Sequence, residues 1–263
     1  MGAPQFTSEP TKREKLLPIY IMCDVSSSMG WPKEAPEKPI DAINAGISGI
    51  LRELREQAFV AGSIYLSIIT FGSNAEVVLP LSQVDAETYV PPLEAQGTTN
   101  LGDAFETLSK TLDLDYHAIR DRNATAYRPA VFLFTDGVPT GDDGRPISSH
   151  ESWLQPLNQL KAHPVWAPRV FAYGFGEADE GLLKKMVEYQ SMTPALVEAL
   201  VNFSEDDPVS SLKRIFPALF STIVDSAAAV AEHVSEEELG NKLNESVSNQ
   251  TQGASGFWDG AWD

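Results

Sequence analysis

Three short segments carry the side chains best suited to chemistry. The first is Asp24-Val-Ser26-Ser-Ser28-Met-Gly30, the second Gly97-Thr98-Thr99-Asn100-Leu101-Gly102, and the third Thr135-Asp136-Gly137. Two carboxylates, Asp24 and Asp136, with the hydroxyls of Ser26, Ser28 and Thr99 make an all-oxygen set without sulfur or imidazole. Such a set selects Mg²⁺, with Mn²⁺ or Ca²⁺ as alternatives, over zinc or copper. Two carboxylates roughly balance one divalent ion. If only the neutral hydroxyls touch the metal, it keeps affinity for one more anionic oxygen, and its open position becomes a docking point for a partner's carboxylate. Met29, Gly30, Trp31, Thr98, Asn100 and Gly137 flank the donors and are the expected partner-binding rim.

Each segment alone has a plainer explanation. A serine after a strand-ending aspartate also caps a helix or shapes a turn, and Thr-Asp-Gly is a common turn. The weight comes from the three together, each beside a predicted strand end or helix start.

The elements that must position them follow from periodicity. Pro18–Asp24 and Ala130–Asp136 are apolar runs ending in Asp, the pattern of strands buried on both faces of a parallel sheet. Arg169–Gly176 is a third such run, and Ser63–Gly72 is rich in β-branched and aromatic residues. Glu76–Leu81 follows so closely that the connection must be an antiparallel hairpin. Ile40, Ile43, Ile47, Ile50, Leu51, Leu54 and Ala58 form one helical stripe, with Pro39 in its first turn. Leu101, Ala104, Phe105, Leu108 and Leu112 form another. Helices are expected around Ser152–Ala162 and Gly181–Tyr189, and a short edge strand within Ala195–Phe203. The last apolar stripe starts at Asp207-Pro208, a capping pair, and contains Pro217, which should kink it near Lys213.

The expected fold class is therefore α/β: a doubly wound, mostly parallel central sheet with one antiparallel edge hairpin strand and helices on both faces. In such a sheet ligands bind in the crevice at the carboxyl ends of the strands, where Asp24 and Asp136 fall. The chain divides into a flexible arm (1–15), one domain (16–233) and an acidic polar tail (234–263). The composition of that tail is a disordered signature, and it ends in an aromatic motif with Phe257, Trp258 and Trp262.

Composition narrows the function classes. The 263 residues carry 37 acidic against 19 basic side chains, a formal net charge of −18, which disfavours nucleic acid or an anionic membrane as partner. No apolar run approaches the roughly 20 residues of a membrane helix. The polar N-terminus lacks a signal peptide's apolar core, and the single cysteine, Cys23, excludes an internal disulfide; both point to the cytoplasm. Asp142-Asp143-Gly144 could be a second cation site but reads more simply as a turn. His117, His150, His163 and His233 match no zinc spacing. The oligomeric state is not written in the sequence.

The ordered set Asp24-x-Ser26-x-Ser28, then Thr99, then Asp136 resembles the von Willebrand factor type A domain with a metal-ion-dependent adhesion site. Thr98 and Thr99 are both candidates for the family threonine, and Thr99 fits best, before Asn100-Leu101. The resemblance implies that the two serines and the threonine contact the metal while the aspartates act through water. LPIYIMCDVSSSM, SIITFGSNAEVVLPL, GTTNLGDAF and VFLFTDGVPT look most like the TerY-type tellurite-resistance proteins of bacteria. That likeness implies a small stress-response domain whose partner is a protein phosphatase or kinase presenting Asp or Glu. The alternative is a metal-dependent phosphoryl-transfer or hydrolase enzyme on the same sheet edge. Phosphoaspartyl enzymes carry a second Asp two residues after the first, where this chain has Ser26, and no lysine stands convincingly at the right strand end.

Overall fold

The computed structural model describes residues 15–57, 62–141, 144–147, 151–188, 201–204, 207–231 and 235–252. The strands are β1 Lys15–Asp24, β2 Ile64–Phe71, β3 Ala75–Ser82, β4 Thr125–Ala126, β5 Ala130–Thr135, β6 Arg169–Phe175 and β7 Val201–Ser204. The helices are α1 Pro39–Glu56, α2 Leu101–Asp121, α3 Glu151–Lys161, α4 Glu180–Val187, α5 Pro208–Ala231 and α6 Glu236–Gln252, with a 3₁₀ turn at Ser27–Gly30. The main sheet runs β3-β2-β1-β5-β6-β7, and β4 pairs with the start of β1. Among the described strands only the pair β2–β3 is antiparallel; β1 pairs in parallel with both β2 and β5, bringing Asp24 beside Phe71 and Cys23 beside Phe134. This is the expected mixed α/β sheet with one antiparallel hairpin.

Helices explain why the central strands read as unbroken apolar runs. Every residue of β1 after Lys15, and all of β5, is buried, because α1 and α5 cover one face and α2 with α3 the other. On the α5 side, Phe132 stacks on Phe171, and Phe134 on both Tyr173 and Phe216. There α1 approaches so closely that a Cβ on Gly46 would lie 2.2 Å from the Phe216 ring. The edge strand β3 is mostly half-exposed and tolerates Pro80.

Helix starts follow their caps. Lys38 N–H donates to Asp41 (2.9 Å), Asn100 accepts from Asp103 N–H (3.1 Å), Asp179 from Leu182 N–H (2.9 Å) and Asp207 from Ser210 N–H (2.9 Å). α5 continues through Pro217, where the sequence predicts a kink.

Two expectations change, and one element is new. Where disorder is expected after His233, residues 236–252 form α6. Leu239 and Leu243 are buried in the main core, and Ser246 shares a hydroxyl hydrogen bond with Thr222 of α5 (2.8 Å). Docking on α5, not the helix's own polar composition, stabilises it. Lys15 belongs to the sheet rather than to an arm, its ammonium 3.4 Å from the centre of the Tyr127 ring. The two-residue β4 has no sequence signal at all. Residues 1–14, Ala58, Asp142 and Asp143, His150, the stretch 195–200, His233 and the terminal aromatic motif lie outside the described residues.

Candidate functional site

Sheet order creates the crevice. From β1 the chain winds to β2 and β3 on one side, then to β5, β6 and β7 on the other. The carboxyl ends of β1 and β5 therefore flank the point where the winding reverses, the usual ligand position in such sheets.

Asp24 ends β1 fully buried. Ser26 N–H donates to one carboxylate oxygen (2.8 Å) and the Thr135 hydroxyl to the other (2.7 Å). The chain then tightens into the 3₁₀ turn, with Met29 N–H bonded to Ser26 C=O (3.0 Å) and Trp31 N–H to Ser28 C=O (2.9 Å). This turn brings the Ser26 and Ser28 hydroxyls within 3.0 Å of each other, and Ser28 donates to Asp136 (2.8 Å). The first and third segments thus meet through side chains.

The second segment is tied down by backbone bonds. Gln96 N–H donates to Val25 C=O (2.7 Å), Ser27 N–H to Gly97 C=O (3.1 Å) and Asn100 N–H to Gly72 C=O (2.9 Å). Gly97 has φ +81°, and a Cβ there would lie 2.4 Å from the Ser73 hydroxyl. Only glycine takes that conformation at that approach without strain. Thr99 N–H donates to the Thr140 hydroxyl (2.7 Å), and Thr140 N–H returns a bond to Thr99 C=O (3.0 Å). A Cβ on Gly137 would stand 3.6 Å from the Thr99 hydroxyl oxygen and 3.9 Å from that of Ser28. The three segments therefore converge on one small cradle that glycine leaves open.

The electrostatics are unusual. Asp24 and Asp136 are both buried, and no cationic side chain bonds to either among the described residues. Burial pushes Asp24 up to about 6, against the lowering effect of its bonds from Ser26 and Thr135. Asp136 is pushed up to about 7, first by burial and then by the charge of Asp24. Two buried carboxylates lacking a counter-charge are costly. A divalent cation would supply that charge, and three adjacent hydroxyls add neutral hard donors, so the residues present fit Mg²⁺ or Mn²⁺. Among the described residues there is no cluster of three or more His, Cys, Asp and Glu side chains, so any site here relies on hydroxyls.

The expected rim divides. Trp31 is 55% exposed and Gly137 borders the hydroxyls. Gly30 is half-buried, and a Cβ there would be 3.2 Å from Ala95. Thr98 turns to Ser73, donating from its N–H (3.1 Å). Met29 is a correction: it is fully buried in the core, anchors the turn and offers no surface to a partner. Asn100 is half-buried, and its side-chain oxygen caps α2. Sequence reasoning missed Thr135 and Thr140, which orient Asp24 and Thr99. Their signal was position: Thr135 precedes the strand-ending Asp, and Thr140 follows it by four residues.

Among solved structures the chain is similar to a von Willebrand factor type A protein from Catenulispora acidiphila, with 16% identity, 80% of this chain and 43% of that chain covered, and a TM-score of 0.54. It is also similar to the pilus adhesin SpaC from Lactobacillus rhamnosus GG (15% identity, 80% and 31% covered, TM-score 0.57). A third is proximal thread matrix protein 1 from the mussel byssus (15% identity, 80% and 48% covered, TM-score 0.53). The likeness is one of fold, and this chain spans less than half the length of each. No curated protein matches it. Residues 19–138, the stretch that holds all five oxygen donors, match the von Willebrand factor type A domain, a general protein-interaction module.

Proposed function

We propose that this protein is a non-catalytic interaction module that uses a divalent metal to dock an acidic side chain of a partner protein. The observation that carries the reading is the convergence of the Ser26, Ser28 and Thr99 hydroxyls on the buried carboxylates Asp24 and Asp136, to which no cationic side chain bonds among the described residues. Ser26, Ser28 and Thr99 would hold the ion directly, with Asp24 and Asp136 balancing its charge. When bound, the cation supplies an electrophilic position for a carboxylate oxygen. Thr135 and Thr140 keep the donors in place, and Trp31, 55% exposed just past the serine turn, gives a partner an aromatic anchor.

Mg²⁺ is the expected ion, with Mn²⁺ or Ca²⁺ as alternatives. The motifs shared with TerY-type proteins support a cytoplasmic place in a bacterial stress response. Its partner there would be a protein phosphatase or kinase that presents Asp or Glu. No helix among the described residues is long and apolar enough to cross a membrane.

Calorimetric titration of the full chain with MgCl₂ and MnCl₂ tests the first half. Saturable binding that Thr99→Ala weakens at least tenfold is expected, the effect of losing one hard ligand; no heat from either ion defeats the reading. The second half is tested by recovering partners from the native host with Mg²⁺ and with EDTA. A partner retained equally in both, and by Asp24→Ala, overturns metal-dependent docking.

A further inference from the structure

The opposite edge of the sheet holds a second feature that the metal-edge reading does not use. A cavity of about 670 Å³ opens at the amino ends of β1, β5 and β6. It lies between α2, the β4 segment and the 163–167 loop. Its volume is typical of small-molecule sites, which span roughly 300–1,000 Å³.

Rings form much of its wall. Tyr20, Tyr116, Tyr127 and Trp166 line it, and His163 stacks on Trp166 with centroids 3.7 Å apart. His163 is held there by N–H donors from Val165 and Trp166 (3.4 and 3.3 Å). Trp166 is 5% exposed, and its indole N–H is buried without an acceptor. A buried donor of that kind is normally satisfied, by water or ligand where protein does not serve.

The charged side chains in its wall are basic. Arg120 and Arg128 line the cavity, and the Lys15 ammonium covers the Tyr127 ring. Arg128 is anchored by the carbonyls of Ala167 and Pro168 (2.7 and 3.1 Å). Arg120 is exposed, with its guanidinium 5.6 Å from the Tyr116 ring centre. Asp115 accepts from the hydroxyl of Tyr20, a wall residue (2.9 Å). In a protein of net charge −18, the described wall of this cavity carries two arginines and no acidic side chain.

We infer that this cavity binds a small aromatic carboxylate, its ring against the tyrosine and tryptophan wall and its carboxylate toward Arg120. Guanidinium groups recognise carboxylates through paired N–H donors, and aromatic walls take planar rings. The site lies at the far ends of the strands from Asp24 and Asp136 and does not depend on a metal.

The test uses the full ¹⁵N-labelled chain, with indole-3-carboxylate as probe and indole-3-carboxamide as its neutral isostere. The Trp166 indole N–H resonance is assigned by its loss in Trp166→Phe. That resonance is expected to shift saturably with the carboxylate, at a dissociation constant of roughly 0.01–1 mM for a ligand of this size. Arg120→Gln, on an exposed helix face, should weaken the carboxylate about tenfold and leave the carboxamide unchanged. A Trp166 resonance that does not move, equal binding of the two probes, or carboxylate binding indifferent to Arg120→Gln overturns the inference.

Discussion

The two edges of the sheet are built from the same strands and carry opposite chemistry. At the carboxyl ends, Asp24 and Asp136 are buried among hydroxyls, with no cationic side chain bonded to either among the described residues. At the amino ends, Lys15, Arg120 and Arg128 stand around aromatic rings, and Tyr20 donates to Asp115. The first edge is closed by backbone bonds from loop to loop, such as Gln96 to Val25 and Thr140 to Thr99. The second is walled by side chains and left open. Parallel strands end together, so short loops at the carboxyl edge bring distant residues within hydrogen-bond reach. The connections entering the strands at the other edge, 123–129 and 163–168, leave a gap between them. One fold thus presents an oxygen cradle at one edge of the sheet and an aromatic hollow at the other.

The sharpest way to break this contrast is to remove charge at the carboxyl edge. Asp24→Asn should abolish any stabilisation by Mg²⁺. In EDTA at pH 8 the same variant should be more stable than the native chain by about 1–3 kcal/mol, since an uncompensated buried charge is gone. Thermal and urea melts with and without MgCl₂ read both effects; an unchanged Mg²⁺ response would be decisive against the site.

Next in size is the pH dependence of the metal-free protein. Asp24 and Asp136 titrate near 6 and 7 in the folded state against 3.8 when unperturbed, so the folded chain holds protons that the unfolded chain has released. Stability in EDTA should therefore fall as pH rises from about 4 to about 8 and level off above. Saturating Mg²⁺ should flatten that fall. A level urea-midpoint profile in EDTA across this window would contradict it.

A smaller, more local change is Gly137→Ala. Its Cβ would stand in ordinary contact with the Thr99 and Ser28 hydroxyls. Metal affinity should drop about tenfold while metal-free stability stays within about 0.5 kcal/mol; calorimetry and melts separate the two. The smallest effect belongs to the opposite edge. Tyr20→Phe removes the hydrogen bond to Asp115 and should cost about 1 kcal/mol with no change in the Mg²⁺ response. A shifted Mg²⁺ titration there would show that the edges are coupled.

Much of the positioning machinery was legible because it rests on local rules. The apolar runs of β1 and β5 marked doubly covered strands ending at acidic residues, and the short gap between β2 and β3 allowed only a hairpin. Thr98 and Thr99 are neighbours in sequence with different environments: Thr99 is buried beside Gly137, while Thr98 turns to Ser73. Other features escaped because nothing local specifies them. α6 reads as polar, and only contact with α5 buries Leu239 and Leu243. Met29 has the spacing of a rim residue, yet the tight serine turn drives it into the core. Thr135 and Thr140 act through partners far along the chain.

By itself the order of residues settled which side chains stand at strand ends, because backbone periodicity and turn chemistry operate over a few positions. Whether those side chains meet, which are sealed from water and which face a cavity depended on the folded chain. Burial, uncompensated charge and hydrogen bonding across the crevice are properties of distances between segments that sequence separation does not record. The aromatic cavity is the clearest case: Arg120, Tyr127 and Trp166 carry no shared pattern, and only the fold brings α2, the 123–129 connection and the 163–167 loop around one hollow.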